Sequence, residues 1–472
     1  MGISLNPATL LSGQGLDVSS LVSQILSESS GQLTEWQGEQ TTLQSQASDL
    51  TAINSALTNL ATAVTALADP LGALTAQSAT SSDTGVLTAT ADTSAVAGTH
   101  TVAVSNLATA GAVYTNDFAG GASASILPSG ATSGEIDLQI GGSTGKTQAI
   151  AITPGSNDTL TTLASYINSQ NLGVNASVVT DANGSRLALV SQNTGSAGAL
   201  AITANNTSLS FNTPTGGVNA QLTIDGVPYA SASNTVTGAI SGVTLNLANQ
   251  SSGNPVQLTV GPDTVQSTSA INNFVSAYNQ VISDINQEVA YNSATNSQGP
   301  LGSDAAVAQL QSSLLTDAAY SVTGNGGDVN LAALGINTNN DGTLTVDSTQ
   351  LNSALASNPA AVQNFFQNTA STGFANAFNT DLTNLTDPTQ GVLNVDLAQN
   401  KAQQADLTTS ITNFQTQLTA QQAALTLEYS AVNASLQAYP LLLQQVTETL
   451  GTLGSGSSSS SGSSSPTLTS GL

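Results

Sequence analysis

The sequence predicts an α+β multidomain protein, with a helical, coiled-coil-like stalk built from both chain ends and β-rich domains inserted into it. Three observations predict this fold class. Apolar residues recur at three- and four-residue spacing toward both ends, alternate with polar residues through the middle, and are separated there by Asn-Gly and Asp-Gly turns. A chain of 472 residues has room for about two to four domains. Amphipathic ends that bracket a β-rich middle favour one stalk in which the termini meet.

The first amphipathic stretch predicts a helix from about residue 16 to 68, which Asp17 should cap. Its seven-residue apolar repeat consists of Leu43, Leu50, Leu57 and Val64. A one-sided stripe of this kind needs other helices to pack against. Asp69-Pro70 should end the helix, because proline lacks a backbone donor and disfavours helix at the preceding residue.

β structure is expected from about residue 78 to 262, where short alternating runs are rich in Thr and Val. Asn183-Gly184 and Asp225-Gly226 mark two of the tight turns. One helix should interrupt the strands at about 158–170, with Asp158 at its N-terminal cap. The middle of the chain is therefore expected to hold β domains with one helix.

Helical patterning returns after the β region. Helices are expected at about 303–320 and 359–380, with a hairpin at Asp341-Gly342 between them. The longest helix should start near Leu393, and Pro440 should kink or divide it. The heptad positions of this helix are Ile411, Leu418, Leu425, Val432 and Tyr439. The second chain end therefore carries an apolar stripe comparable to that of the first.

Charged residues are scarce and almost all acidic. Lys and Arg total 3 against 28 Asp and Glu, which gives a formal net charge of −25 at pH 7. Binding to nucleic acid and a polybasic membrane patch both need clustered cations, so both are excluded. The chain has no Cys and a single His, which excludes thiolate chemistry and Cys- or His-based zinc sites. No apolar run approaches the roughly 20 residues of a spanning helix, and the first residues lack a secretory signal pattern, so no membrane insertion is expected.

Two segments have incomplete ligand-binding motifs. Gly145-Lys146-Thr147 matches the end of a P-loop, but Ile140 stands where that motif needs its first glycine. Residues 337–342 resemble the start of a calcium loop, but Ser348 replaces the bidentate Glu. Both segments lie between β runs, so ordinary hairpin turns are expected and no metal or cofactor site is predicted.

Two further segments lack residues that a catalytic or dinucleotide-binding site needs. His100 has no G-x-S-x-G nucleophile elbow to accompany it, so it is expected to be a surface or edge-strand residue. Gly13-Gln14-Gly15 lacks the third glycine of a dinucleotide fingerprint and should be a flexible connection before the first helix. No residue constellation predicts an active site, although paired carboxylates cannot be judged by sequence spacing.

Several blocks of the sequence resemble the flagellar hook-associated protein 2 family, in the order of that family. GQGLDVSSLVSQIL near the start resembles the family's opening, and LTIDGVPYASASNTVTGAISGVTLNLANQ after Gln221 resembles the start of its C-terminal region. The resemblance continues in GPLGSDAAVAQLQSSLL from Gly299 and in the stretch that runs from Leu331 to Phe366. ITPGSNDTLTTLASYINSQ resembles the short repeat shared by flagellin and hook-associated proteins. The C-terminal ending, with Tyr439-Pro440-Leu441 and a Ser-rich tail, departs from the family pattern.

This resemblance implies a secreted, non-enzymatic assembly protein of the bacterial flagellum. Such a protein passes through the type III export channel, with an export chaperone as partner, and forms a homo-oligomeric ring at the filament tip, a homopentamer or similar. The ring retains exported flagellin and promotes its folding and polymerisation, so flagellin and the hook-associated axial proteins are the other implied partners. Adhesion is a further role that a protein at the tip could have.

Two alternatives remain open beside the filament cap. Another flagellar axial protein, such as a hook–filament junction protein or a flagellin variant, would share helical termini but lack the Asp-Gly hairpin block. A surface adhesin would use the β insert to bind a host or substratum. An enzyme is a third class, disfavoured by the thin inventory of titratable residues.

The predicted organisation has five parts. They are terminal helices at 1–42 and 431–453 that are disordered until assembled, a helical stalk domain of 43–76 and 264–430, a β-rich domain of 78–112 and 220–262, a second β-rich domain of 113–219 with the flagellin-type repeat, and a disordered Ser/Gly tail at 454–472. The predicted assembly interface consists of Leu16, Leu21, Ile25, Leu425, Val432, Leu436 and Leu443. Marginal helices of this kind gain stability when a neighbouring subunit buries them.

Overall fold

The computed structural model describes residues 17–294, 297–324, 327–368 and 373–454. Its α-helices are α1 Val18–Ser29, α2 Gly31–Ala68, α3 Leu160–Ser169, α4 Thr264–Val289, α5 Ala305–Ala318, α6 Ser348–Ser357, α7 Pro359–Gln367, α8 Phe374–Thr386 and α9 Val392–Gly454. Its strands are β1 Gln77–Ser81, β2 Leu87–Ala91, β3 Gly98–Asn106, β4 Ala110–Tyr114, β5 Gly134–Ile140, β6 Lys146–Ile152, β7 Val174–Asp181, β8 Gly184–Thr194, β9 Leu200–Asn205, β10 Ala220–Ile224, β11 Val227–Ser231, β12 Thr235–Ile240, β13 Val243–Leu247, β14 Val256–Pro262, β15 Ser321–Gly324, β16 Gly327–Asn330, β17 Ile336–Thr338 and β18 Leu344–Val346. Helices at both ends with β-rich structure between them confirm the predicted α+β fold class.

The chain divides into two compact units. The first comprises the described residues up to Asn59, together with Gln280–Leu315 and the residues from Asp381 onward. The second comprises Leu60–Asn279 and Thr316–Thr380. The division falls inside α2, α4, α5 and α8, so these helices contribute residues to both units.

The first unit is built from helices in its described part. Asp17 caps α1 as predicted, because its side chain accepts a hydrogen bond from the Ser20 backbone. The helix predicted for 16–68 is interrupted at Ser30, beside Gly31, a residue with weak helix propensity. α9 continues through Pro440, so this proline does not divide the helix.

The first β module lies in the second unit and consists of two antiparallel sheets, β1-β14-β3-β10-β11 and β12-β13-β2. Both sheets contribute to one apolar core, in which Leu87, Val102, Leu245 and Leu258 are fully buried. The predicted Asp225-Gly226 turn joins β10 to β11, and both residues have left-handed φ values of 51° and 81°. Asp tolerates this conformation better than most residues, which explains its place in the turn.

The second β module, also in the second unit, consists of the sheets β4-β8-β7 and β6-β5-β9 with α3. Leu138 of β5, Leu163 of α3 and Leu187 of β8 are fully buried in its core. The predicted cap at Asp158 is wrong, because the N-cap of α3 is Thr159, which forms a capping box with Thr162. The Asp158 carboxylate instead accepts a hydrogen bond from the Ser125 hydroxyl at 3.2 Å.

The rest of the second unit is mainly helical and encloses an aromatic core. Its fully buried rings are Phe274 and Tyr278 of α4, Phe365 and Phe366 of α7, and Phe374 and Phe378 of α8. The single helix predicted for 359–380 is wrong, because α7 ends at Gln367 and α8 begins at Phe374. The sequence did not predict α6, because Leu351 and Leu355 are the two large apolar residues that this helix buries, too few to give a clear periodic pattern. The predicted Asp341-Gly342 hairpin is confirmed between β17 and β18.

Among the described residues, α2 alone is long and apolar enough to pass a length-and-composition test for a membrane span. Core helices of soluble proteins pass the same test. Leu50, Leu57 and Val64 of the predicted heptad repeat are at most 1% exposed. This burial is typical of a helix that supplies its apolar face to a protein core.

Candidate assembly surface

The described part of the first unit brings the two chain ends together. α1 lies against α9, and Val22 of α1 is only 2% exposed. Trp36, near the start of α2, meets Phe414 of α9 edge to face, with 5.5 Å between ring centroids. Aromatic pairs in this orientation add to the stabilisation from burial. The N- and C-terminal helices therefore pair within one chain.

Neutral amide hydrogen bonds fix the register of α2 against α9. Gln40 Nε2 donates to Thr408 Oγ1 at 2.9 Å, and Gln404 Nε2 donates to the Leu43 carbonyl at 3.1 Å. Further along, Asn54 Nδ2 donates to Asn394 Oδ1 at 3.2 Å. Residue numbers rise along α2 while those of their partners fall along α9, so the two helices are antiparallel.

The predicted interface residues lie in different environments. Leu21 and Ile25 are half-buried on α1, and Leu425 and Leu436 are half-buried on α9. Val432 and Leu443 of α9 are 44% and 57% exposed. Leu16 lies outside the described residues. The described residues thus place four of the seven side chains in partly covered positions on α1 and α9, and two in exposed positions.

The predicted interface omits most of the exposed apolar side chains of α9. Leu427, Tyr439, Leu441, Leu442, Val446 and Leu450 are between 52% and 75% exposed. The sequence signal was the run Leu441-Leu442-Leu443, which does not follow a heptad. Three consecutive helical residues point in directions about 100° apart, so this run is apolar around most of the helix. A helix that is apolar on all sides is normally buried.

The electrostatics of this surface favour apolar rather than ionic partners. From Leu425 to the end of α9 the only charged residues are Glu428 and Glu448. We name residues 425–450 of α9 the apolar end. Since it has no Lys or Arg, an ion pair with an acidic partner is excluded there, and burial of leucine side chains is the main available source of affinity.

A carboxylate pair lies elsewhere in the first unit. Oδ1 of Asp304 accepts hydrogen bonds from the backbone of Ala306 and Val307 at the start of α5. Partial burial, together with the neighbouring Asp304, raises the pKa of Asp396 to about 6.

The single His belongs to a hydrogen-bonded turn. His100 Nδ1 lies 2.7 Å from Asp225 Oδ2, and Oδ1 of the same carboxylate accepts from the Thr101 backbone at 2.7 Å. The hydrogen bond from His100 is the largest cause that lowers the pKa of Asp225, and the bond from Thr101 adds to it. β3 is the third of five strands, so His100 is on a central strand and not on an edge. The pair fastens the β10–β11 turn to β3.

The other candidate chemical residues are held in ordinary turns and pairs. Arg186 donates to Asp117 through two nitrogens and to Asp181 through Nη2. Lys146 begins β6, directly after the β5–β6 turn. Asp341 accepts hydrogen bonds from the backbone and hydroxyl of Thr343 in its own hairpin. Within the described residues, no group of three or more His, Cys, Asp or Glu side chains is arranged to hold a metal ion.

Comparison with protein families gives three matches along the chain. A family model described as the flagellar hook-associated protein 2 C-terminus matches residues 217–439, and one described as the N-terminus of the same protein matches 14–111. Together they cover more than half of the chain. A flagellin hook IN motif matches residues 137–193, where the short repeat was identified in the sequence.

Individual relatives agree with the family models. The B-type flagellar hook-associated protein 2 of Pseudomonas aeruginosa is 29% identical over 223 residues, which is 46% of each chain. A flagellar hook-associated protein 2 of Helicobacter pylori is 31% identical over 128 residues, 27% of this chain and 19% of the relative. The matched region therefore spans less than half the length of these relatives.

One solved structure shares the fold over most of its length. The crystal structure of the flagellar cap protein FliD D1-D2-D3 domains from Escherichia coli superimposes with a TM-score of 0.57 at 28% sequence identity. The superposition covers 75% of this chain and 99% of that chain. The α+β arrangement described above therefore occurs in a solved structure.

Proposed function

Because this chain belongs to the flagellar hook-associated protein 2 family, we propose that it caps the flagellar filament, outside the cell. In this role it forms an oligomer at the filament tip, retains exported flagellin and promotes its folding and polymerisation as the filament grows. The observation that carries the proposal beyond the family match is the apolar end of α9. It presents leucines on several sides and carries no cation.

The predicted interface residues and the apolar end together form the proposed assembly surface. Exposed leucines of one subunit are buried by neighbouring subunits or by axial proteins below the cap. Each fully buried leucine contributes about 1.5–3 kcal/mol. The role is structural and non-enzymatic, with self, flagellin, hook-associated axial proteins and a type III export chaperone as partners.

The domain limits given above belong to this proposal. The order of the terminal helices, predicted at 1–42 and 431–453, is part of it: α1 and the last turns of α9 are helical in the structure, but as marginal helices they are expected to open in the isolated chain in solution until a partner buries them. Residues 1–16 of that prediction lie outside the described residues. Hydrogen exchange on the isolated chain tests this statement. Strong protection near Leu21 or Leu443 before assembly would contradict it.

A deletion strain tests the capping function. Loss of the chain should leave hooks without long filaments, while unpolymerised flagellin accumulates in the medium, because flagellin is exported but not retained. Complementation with the full chain should restore filaments. A deletion strain that keeps normal filaments but no longer attaches to surfaces would favour the adhesin alternative and contradict the cap.

A further inference from the structure

The two β modules of the second unit meet at the loop between β8 and β9. We name residues 194–199 the junction loop. Thr194 Oγ1 donates to the carbonyl of Ala232 at 2.6 Å, and Ala232 lies between β11 and β12 of the first module. The Ser196 backbone donates to Asn219 Oδ1 at 2.7 Å, directly before β10 of the first module. The loop of one module is thus bonded to the other.

Glycines bring the backbones of this junction into direct contact. Gly195 is buried with a φ of 74°, and a Cβ placed on it would lie 2.6 Å from Cα of Ala232. Gly217 has a φ of 68°, and its Cβ would lie 2.4 Å from Cα of Ala199. Neither position has room for a side chain, and both need the left-handed conformation that glycine adopts at little cost.

The two connections between the modules are also joined to each other. The Thr109 backbone donates to the Val218 carbonyl at 3.0 Å. Asn234 accepts from the Ala108 backbone at 2.7 Å and donates to the Ala108 carbonyl at 2.9 Å. Hinges are short segments that absorb large changes of φ and ψ. Neither connection is free to do so, because Ala108 is hydrogen-bonded to Asn234 of the first module and Thr109 to Val218 of the other connection.

We propose that the junction loop is a latch that holds the second β module against the first, so that the two modules move as one rigid body. All the latch contacts named above join neutral groups. Salt screens charged pairs but leaves such hydrogen bonds largely unchanged. The latch therefore stays closed at the pH and salt conditions that alter the strongly acidic remainder of the chain.

Distance measurements between two spin labels test the latch. The chain has no native Cys, so Asn183→Cys in the second module and Ser252→Cys in the first introduce the two label sites and no others. Both positions are exposed and lie outside the junction. A rigid body gives one narrow distance distribution, unchanged between low and high salt. A broad distribution in the otherwise unmodified chain would overturn the proposal.

Two variants open the latch in different ways. Asn219→Ala removes the acceptor for the Ser196 backbone, and Gly195→Ala forces a Cβ against Ala232. The matched control is Asn249→Ala, since Asn249 donates to the Gly85 carbonyl within the first module at 2.8 Å. Loss of the narrow peak in a latch variant, with retained circular dichroism and an unchanged control, supports the latch. If Gly195→Ala fails to fold, the double variant Asn219→Ala with Thr194→Val takes its place. A narrow distance distribution retained in that double variant would overturn the latch proposal.

Discussion

Asn400 of α9 donates a hydrogen bond from Nδ2 to Gln46 Oε1 of α2 at 3.2 Å, and this amide pair lies at the centre of the α2–α9 contact. Asn400 is only 7% exposed, and its Oδ1 also accepts from Gln404 Nε2 at 2.6 Å. Gln46 in turn donates to the Pro300 carbonyl at 3.0 Å. In a chain with three cations, amides rather than ion pairs fix which residues of the two helices meet. Buried polar pairs are known to specify register between helices.

Asn400→Ala should destabilise the isolated chain by about 1–3 kcal/mol, because it removes a buried amide and takes one hydrogen bond each from the half-buried Gln46 Oε1 and Gln404 Nε2. Urea unfolding measured by circular dichroism gives the free energy of unfolding. Gln403→Ala, an amide-to-alanine change at an exposed position three residues further along α9, is the control and should have little effect. Equal stabilities for the two variants would show that the amide chain does not hold α2 and α9 together.

The raised pKa of Asp396 predicts a pH dependence of the stability of the isolated chain. Its pKa of about 6 lies above the unfolded value of about 4, so the folded state binds the proton more tightly. Stability should therefore rise as pH falls from about 7 to 5, and this gain is lost as pH rises through 6. Asp396→Asn should remove this part of the dependence and stabilise the chain at pH 7.5.

Thermal unfolding at pH 5 and pH 7.5 measures the effect of Asp396→Asn. The comparison uses a chain that also carries the leucine substitutions described next, so that self-association does not contribute. Asp406→Asn, on the same helix and exposed, controls for removal of one negative charge. If stability depends on pH as strongly in Asp396→Asn as in the chain with Asp396, the carboxyl of Asp396 is not the source of that dependence.

Replacement of Leu441, Leu442 and Leu443 by serine should abolish self-association and leave the isolated chain folded. These side chains are 55–68% exposed, so little intramolecular packing is lost. If neighbours bury them, the loss of about 1.5–3 kcal/mol per leucine weakens association by about a hundredfold or more. Light scattering measures the mass of the particles in solution, which distinguishes the oligomer from the isolated chain.

The control for these substitutions is Leu71→Ser, which changes a leucine of the second unit that is even more exposed, at 74%. It should leave the oligomer intact. Dissociation by Leu71→Ser as well, or an intact oligomer after the triple substitution, would show that the apolar end of α9 is not the assembly surface.

Added salt should strengthen the oligomer. A net charge of −25 makes subunits repel one another at low ionic strength, and screening over about 10 Å at 0.1 M salt weakens that repulsion. A fall in pH from 7 toward about 4 should act in the same direction by neutralising carboxylates. Light scattering across both series checks this, and dissociation as salt rises would show that scarce ion pairs hold the ring.

Heptad spacing was enough to predict much of the helical packing. It correctly indicated the burial of Leu50 and Leu57 on α2 and of Ile411 on α9, because a one-sided stripe must be covered. The local sequence was less informative where two neighbouring residues could each cap the same helix. Asp158 and Thr159 are both good N-caps, and only the Thr162 hydroxyl, which completes the capping box, decides between them.

Other features depend on contacts that no local pattern contains. The break between α7 and α8 follows a close approach, since a Cβ on Gly373 would lie 2.5 Å from the Phe366 carbonyl oxygen. The surface around Leu441 and Leu442 is apolar on several sides, so periodicity gave it no preferred face. Val432 and Leu443 are exposed in the single chain, so spacing along one chain could predict apolar positions there but not what covers them.

Electron microscopy of intact filaments, with a gold label directed at this chain, tests the central claim most directly. A filament cap places the label at the distal tip of each filament and nowhere else. The same label on a strain that carries the triple serine substitution should be absent from tips, with flagellin released into the medium. Label at the junction of hook and filament, or along the filament shaft, would contradict the cap and assign the chain to another part of the flagellar axis.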